Sequence, residues 1–125
     1  MQVRVYRCRH CGNIAIKLVD SGVPMTYCGE AMEELSPASV EASVEKHVPV
    51  VTRDGDKVTV DVGSVAHPMT AEHYIQFVIL ETTAGVQIAK LTPDADPQAV
   101  FAVLPGAEVK KAYAYCNLHG LWADA

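Results

Sequence analysis

The sequence predicts a mainly β chain, an antiparallel β-sandwich preceded by a small cysteine-bearing segment. Three observations carry this. From residue 47 onward, short β-branched and aromatic runs recur, separated by Gly, Pro and Asp turn signals. Half of the 125 residues are apolar, enough to enclose a core. Three of the four cysteines fall in the first 35 residues, in a segment too small to bury much apolar surface without a metal or a dimer partner.

In chain order, Val3–Arg7 and Ile14–Leu18 each suit a short strand, with turn signals at Gly12–Asn13 and Ser21–Gly22–Val23–Pro24. Residues 36–46 read as a linker with a short helix. Ser36 is the N-cap, Pro37 the first helical residue, and Val40 and Val44 share a face. Val48–Thr52 and Lys57–Val62 flank Arg53–Asp54–Gly55–Asp56, a hairpin turn. Tyr74–Thr83 is a long strand, joined at Ala84–Gly85 to Gly85–Leu91. Gln98–Leu104 and Glu108–Tyr115 follow, with Pro105–Gly106 between them. Short strands with regular turns point to an antiparallel sandwich.

Ten Lys and Arg against fifteen Asp and Glu give a formal charge of −5, which argues against general nucleic-acid binding. No apolar run is long enough to span a bilayer, and the opening MQVRVYRCRHC lacks the apolar segment of a signal peptide. A soluble, cytoplasmic protein is expected. In that compartment, Cys8, Cys11, Cys28 and Cys116 read as metal ligands or redox groups rather than disulfides. Cys8 and Cys11 form a C-x-x-C, and Cys116 precedes His119 by three residues.

Of the five histidines, His47, His67, His73 and His119 lie in the β part with Cys116, each beside a strand end. Strand ends gather at two poles of a sandwich, where these residues can converge. Imidazole suits iron, zinc, copper and nickel, and a thiolate adds softness. Four imidazoles and one thiolate exceed the four ligands of a structural zinc site. Five ligands leave one octahedral position for a small oxidant, and a thiolate opposite it pushes electron density toward bound oxygen species. The plain alternatives are solvated surface histidines, and a buried core thiol at Cys116. His10, between Arg9 and Cys11, reads as exposed and inert.

Four blocks resemble the desulfoferrodoxin and neelaredoxin family: Glu45–Lys46–His47–Val48–Pro49–Val50, Val62–Gly63–Ser64–Val65–Ala66–His67–Pro68–Met69, Glu72–His73–Tyr74–Ile75, and Tyr115–Cys116–Asn117–Leu118–His119–Gly120–Leu121–Trp122. They run in family order through residues 45–122, and together they are highly specific. Tyr6–Arg7–Cys8, Cys11–Gly12–Asn13 and Cys28–Gly29–Glu30 resemble the family's desulforedoxin-like domain.

The resemblance implies two domains: residues 1–36, desulforedoxin-like, and residues 37–125, an immunoglobulin-like β-sandwich with superoxide reductase activity. It implies one non-haem iron per chain, with His47, His67, His73 and His119 equatorial and Cys116 axial. The ferrous site would reduce superoxide to hydrogen peroxide and be re-reduced by a rubredoxin-like carrier. Family members are commonly homodimers. Lys46 would supply the positive charge that an anionic substrate needs on a negative protein, and Glu45 a displaceable sixth ligand. Without the motif, Lys46 and Glu45 read as solvated side chains.

The N-terminal pattern departs from the family. Tyr27–Cys28 stands where the family has adjacent cysteines, so Cys8, Cys11 and Cys28 lack a fourth thiolate. They form a vestigial site that holds no stable metal, or else zinc or iron with an outside ligand, or a disulfide after air oxidation. The segment can equally serve as a dimerisation element. Two further functions compete with the enzyme: an iron electron-transfer protein with a closed site, and a structural zinc module. The Glu45–Lys46 pair and the five-ligand count favour the enzyme.

Overall fold

The computed structural model describes residues 3–39 and 44–124, the side chains of Val44 and Glu45 excepted. The chain divides into two compact units, with the division between Ser36 and Pro37.

The first unit holds β1 (Val5–Arg7), β2 (Ile14–Ile16), β3 (Thr26–Tyr27), β4 (Glu30–Ala31) and β5 (Glu33–Leu35). β1 is the centre of an antiparallel sheet ordered β2-β1-β5. Arg7 faces Glu33 across the β1–β5 pair, and Arg7 Nη2 lies 2.6 Å from Glu33 Oε1. Tyr6, Cys8 and Met32 are buried together, backed by Ala15 and Met25. β3 and β4 form a hairpin the sequence reading missed. Its two-residue turn is Cys28–Gly29, with φ of 51° and 82°. Two successive positive φ values define a type I′ turn, normally signalled by Asn-Gly or Asp-Gly, and a cysteine in the first position conceals it.

The second unit holds α1 (Val44–His47), β6 (Pro49–Asp54), β7 (Lys57–Val62), β8 (Ile75–Thr82), β9 (Gly85–Lys90), β10 (Gln98–Ala102), β11 (Val109–Cys116) and β12 (Gly120–Ala123). The strands form two sheets, ordered β10-β7-β6 and β12-β11-β8-β9, with every strand pair antiparallel. Val58, Val60 and Val62 alternate inward along β7 and meet Phe101 from β10. From the other sheet come Ile75, Val78 and Leu80 of β8, and Ala112, Ala114 and Cys116 of β11. The chain is therefore mainly β with a two-sheet core, and the four-plus-three strand division is that of an immunoglobulin-like sandwich. Among the described residues, no helix is long and apolar enough to cross a membrane.

Two expectations need correction. The helix does not begin at Pro37. Among the described residues the helix is Val44–His47, and Val40 lies outside them. Ala38 instead makes a parallel bridge to Trp122, donating its N–H to Leu121 O and accepting from Ala123 N–H. Pairing with a sheet edge satisfies the backbone there and outweighs the capping signal at Ser36. The chain also does not leave the sheet after Tyr115. Cys116 is the last residue of β11, and the short strand β12 follows His119.

Candidate metal centre

Four loops and strand ends at one pole of the sandwich carry the site. His47 ends α1, one residue before β6. Val48 O accepts from Gly63 N–H, which holds the start of β6 against the end of β7. His67 sits in the loop after β7, where its backbone N–H donates to Val62 O. His73 lies in a turn closed by Thr70, whose hydroxyl oxygen accepts the His73 N–H at 3.1 Å. Cys116 pairs with Gly120 across a three-residue turn that contains His119. Gly120 has φ of 85°, a conformation open to glycine with little strain.

The four imidazoles close a ring in the order His47, His67, His73, His119. Successive centroids are 4.8, 4.7, 5.0 and 5.0 Å apart, and neighbouring planes stand 62° to 86° to one another. The donor atoms of these four residues and of Cys116 all lie within 4.8 Å of one another. His47 Nε2 is 3.1 Å from His119 Nδ1, and Cys116 Sγ is 3.8 Å from the same nitrogen. Metal–nitrogen bonds of about 2.0–2.1 Å set at right angles would separate adjacent nitrogens by about 2.9 Å, close to the His47–His119 distance.

His67 Nδ1 donates to Pro68 O at 2.7 Å, so its Nε2 carries a lone pair. That Nε2 and His73 Nε2 are buried with no hydrogen-bond partner. Buried ring nitrogens without a partner are costly unless something fills the space beside them. A metal ion does so, and the donor set fits one.

Burial favours the neutral, ligand form of His67 and His73. Burial pushes the His67 pKa down to about 4, opposed by the Pro68 carbonyl and aided by the neighbouring imidazoles. His73 is lowered in the same way, by burial first, then by His119, His47 and the charge of Lys46. Lys46 itself is exposed, so a cation stands near the half-buried His73. His47, His67 and Cys116 are buried and His119 is exposed, so the site borders solvent on its His73–His119 side. Glu45 belongs to α1, but its side chain lies outside the described residues.

Comparison with known proteins decides the lineage. Residues 39–125 match the Desulfoferrodoxin family model. A desulfoferrodoxin from Clostridium acetobutylicum is 41% identical over 118 residues, covering 94% of this chain and 92% of that protein. The chain belongs to the desulfoferrodoxin family. A protein named superoxide reductase from Pyrococcus horikoshii is 40% identical over 97 residues, 64% of this chain and 84% of its own length. The crystal structure of the superoxide reductase from Treponema pallidum superimposes with a TM-score of 0.86 at 34% identity, covering 99% of this chain and 98% of that one. These matches establish the desulfoferrodoxin resemblance seen in the sequence.

In this member of the desulfoferrodoxin family, the N-terminal cysteines also come together. Donor atoms of Cys8, Cys11 and Cys28 lie within 4.8 Å of one another, with Cys8 buried and the others exposed. The Cys11 N–H points to Cys8 Sγ at 3.5 Å. N–H donation from Cys11 and His10 outweighs burial and draws the Cys8 thiol down to about 7, while the adjacent thiols of Cys8 and Cys11 push Cys28 up to about 11. His10 is exposed but not isolated: its Nε2 lies 3.3 Å from Glu30 Oε1, and it is not one of the clustered donors.

Two residues that hold the site escaped the sequence reading. Trp122 stacks on His47, and Asn117 bridges the His73 and Cys116 segments. Both stood within a family block, but their partners are distant in sequence, so no local spacing pointed to these roles.

Proposed function

We propose that the chain is a superoxide reductase, with one iron per chain bound by His47, His67, His73, His119 and Cys116. The convergence of these five donors, with four imidazoles in a ring and two buried nitrogens unsatisfied, carries the reading. Nε2 of His47, His67 and His73, Nδ1 of His119 and Sγ of Cys116 are the ligand atoms that their surroundings favour. Iron held there would supply the one electron that, with two protons, reduces superoxide to hydrogen peroxide. Cys116 would add a thiolate to the four imidazoles, a donor that raises electron density on the metal toward a bound oxygen species.

Lys46 draws the anion to the solvent-bordering side and offsets the protein's negative field. Glu45, two residues before His47, would supply a displaceable carboxylate ligand to the oxidised metal. A rubredoxin-like carrier returns the electron, in a cytoplasmic setting, and the enzyme acts as a homodimer. Residues 1–36 form a desulforedoxin-like domain without a complete cysteine set. Residues 37–125 form the catalytic domain. The exposure of His119 favours an enzyme over a closed electron carrier, which needs no path for a substrate.

The deciding experiment is stoichiometric. The iron-loaded, pre-reduced protein is exposed to a superoxide flux, and peroxide and oxygen are both measured. Reductase activity yields one peroxide per superoxide consumed and no oxygen. Oxygen evolution, or no superoxide consumption by the loaded protein, would reject the assignment.

A further inference from the structure

Three of the five donors sit on two segments that are distant in sequence. His73 lies in the turn before β8, and Cys116 and His119 lie at the junction of β11 and β12. β8 and β11 are paired along their length, but the ladder ends at Cys116↔Ile75, with a register shift just before it. Beyond that point the sheet no longer fixes the separation of the two segments.

Asn117 spans this gap. Its Oδ1 accepts the Tyr74 N–H at 2.9 Å, and its Nδ2 donates to Glu72 O at 2.9 Å. Its backbone N–H donates to Tyr74 O at 3.2 Å. The carboxamide thus grips the chain on both sides of His73. Reversing it would set donor against donor and acceptor against acceptor, so its orientation is determined. Thr70 closes the His73 turn on itself but makes no tie to β11. The thiolate residue Cys116 is the immediate neighbour of Asn117.

We infer that Asn117 is a positioning residue, whose side chain locks the His73 segment to the Cys116–His119 turn and so sets the spacing of three ligands around the metal. The inference rests on the metal site proposed above. A ligand whose backbone is free to shift binds more weakly and distorts the ligand field, and loss of such supporting contacts typically weakens metal binding about 10–100-fold.

The test compares the iron-loaded wild type with Asn117→Ala, Asn117→Asp and a control, Thr83→Ala. Thr83 makes a comparable loop tie, accepting the Glu108 N–H at 2.9 Å, at a turn that carries none of the five donors. Three quantities are read: the rate at which a ferrous chelator extracts iron, the thiolate-to-iron absorption band of the ferric protein, and its electron paramagnetic resonance spectrum. Asn117→Ala should release iron about tenfold faster or more, with a displaced absorption band and altered rhombicity. Asn117→Asp keeps the acceptor for Tyr74 N–H but loses the donor to Glu72 O, so it should fall between Asn117→Ala and wild type. Thr83→Ala should match wild type in all three. If Asn117→Ala fails to fold, Asn117→Asp carries the test, and a wild-type release rate and spectrum in that variant overturn the inference. Wild-type behaviour in a folded Asn117→Ala overturns it equally. A wild type that binds iron without any thiolate band would instead sink the five-donor site itself, and the positioning role with it.

Discussion

Trp122 lies flat against His47, with ring centroids 4.7 Å apart and planes inclined by 17°. The indole is buried at the inner edge of the site, and its Nε1 has no hydrogen-bond partner. Stacking restricts rotation of the His47 ring about its own bonds, which a single ligating nitrogen cannot do alone. Trp122→Ala should therefore loosen His47 and speed iron loss, besides costing about 3–5 kcal/mol of stability through the cavity it leaves. Trp122→Phe should preserve most of the metal retention, because an aromatic face remains. Trp122 is the single tryptophan of the chain, so its emission reports on the site directly and should rise when a chelator strips the iron. Equal iron retention in Trp122→Ala and wild type would show that the stack does not position His47.

The buried imidazoles make the metal-free fold acid-sensitive in a defined window. Burial holds the His67 pKa at about 4 in the folded chain, below the ordinary imidazole value of about 6.5. Between these values the unfolded chain binds a proton that the folded chain excludes, so stability falls as pH drops from about 6.5 toward about 4. The shift corresponds to at most about 3 kcal/mol at the acid end, less after solvent screening, and His73 pulls in the same direction. Above about pH 7 these two groups contribute no slope. Urea denaturation of chelator-stripped protein at pH 7.5 and pH 4.5 measures the effect, and His67→Asn should flatten it. An unchanged slope in that variant would mean that His67 is not the group excluding the proton.

The N-terminal cluster should hold no second tightly bound iron. Only three sulfur donors converge there, and His10 is turned to Glu30. Tetrahedral four-sulfur coordination therefore lacks a ligand. Metal analysis of freshly purified protein should give one iron per chain. Tyr27→Cys places a thiol just before the Cys28–Gly29 turn and should add a second iron with a rubredoxin-like spectrum. Two irons per wild-type chain would contradict this.

Much of this was legible in the residues, for physical reasons that also explain the gaps. β7 was read with its bounds because Val58, Val60 and Val62 alternate inward against exposed or half-buried neighbours, the period a half-buried strand imposes. β12 was not, because Gly120–Ala123 is four residues long and almost wholly buried, with no alternation to find. The helix was misplaced because the capping signal at Ser36 is local, whereas the pairing of Ala38 with Trp122 depends on a strand at the far end of the chain. The donor residues were legible through the family blocks they sit in, because type and spacing alone left solvated histidines and a buried core thiol as alternatives. The role of Asn117 was not, because its partners lie 43 and 45 positions away and are backbone atoms, which any residue type supplies.

Lys46 offers the sharpest test of how the substrate arrives. The chain carries a formal charge of −5, so a small anion meets a repulsive field unless a local cation offsets it. Lys46 is exposed beside His47, and its charge reaches His73, on the side of the site that borders solvent. Lys46→Ala should slow the bimolecular reaction with superoxide by about tenfold at low ionic strength and leave the iron content unchanged. The difference should shrink as salt rises, because the screening length falls from about 30 Å at 0.01 M to about 8 Å at 0.15 M. Lys46→Arg keeps the charge and should retain most of the rate. Glu45→Ala should act differently: it removes the carboxylate proposed as the sixth ligand, so it should alter the ferric spectrum and hardly touch the encounter rate. Pulse radiolysis of the four proteins at low and high salt separates these effects. A Lys46→Ala variant as fast as wild type at low salt would assign the attracting charge to another part of the surface, while the five-donor site stood unaffected.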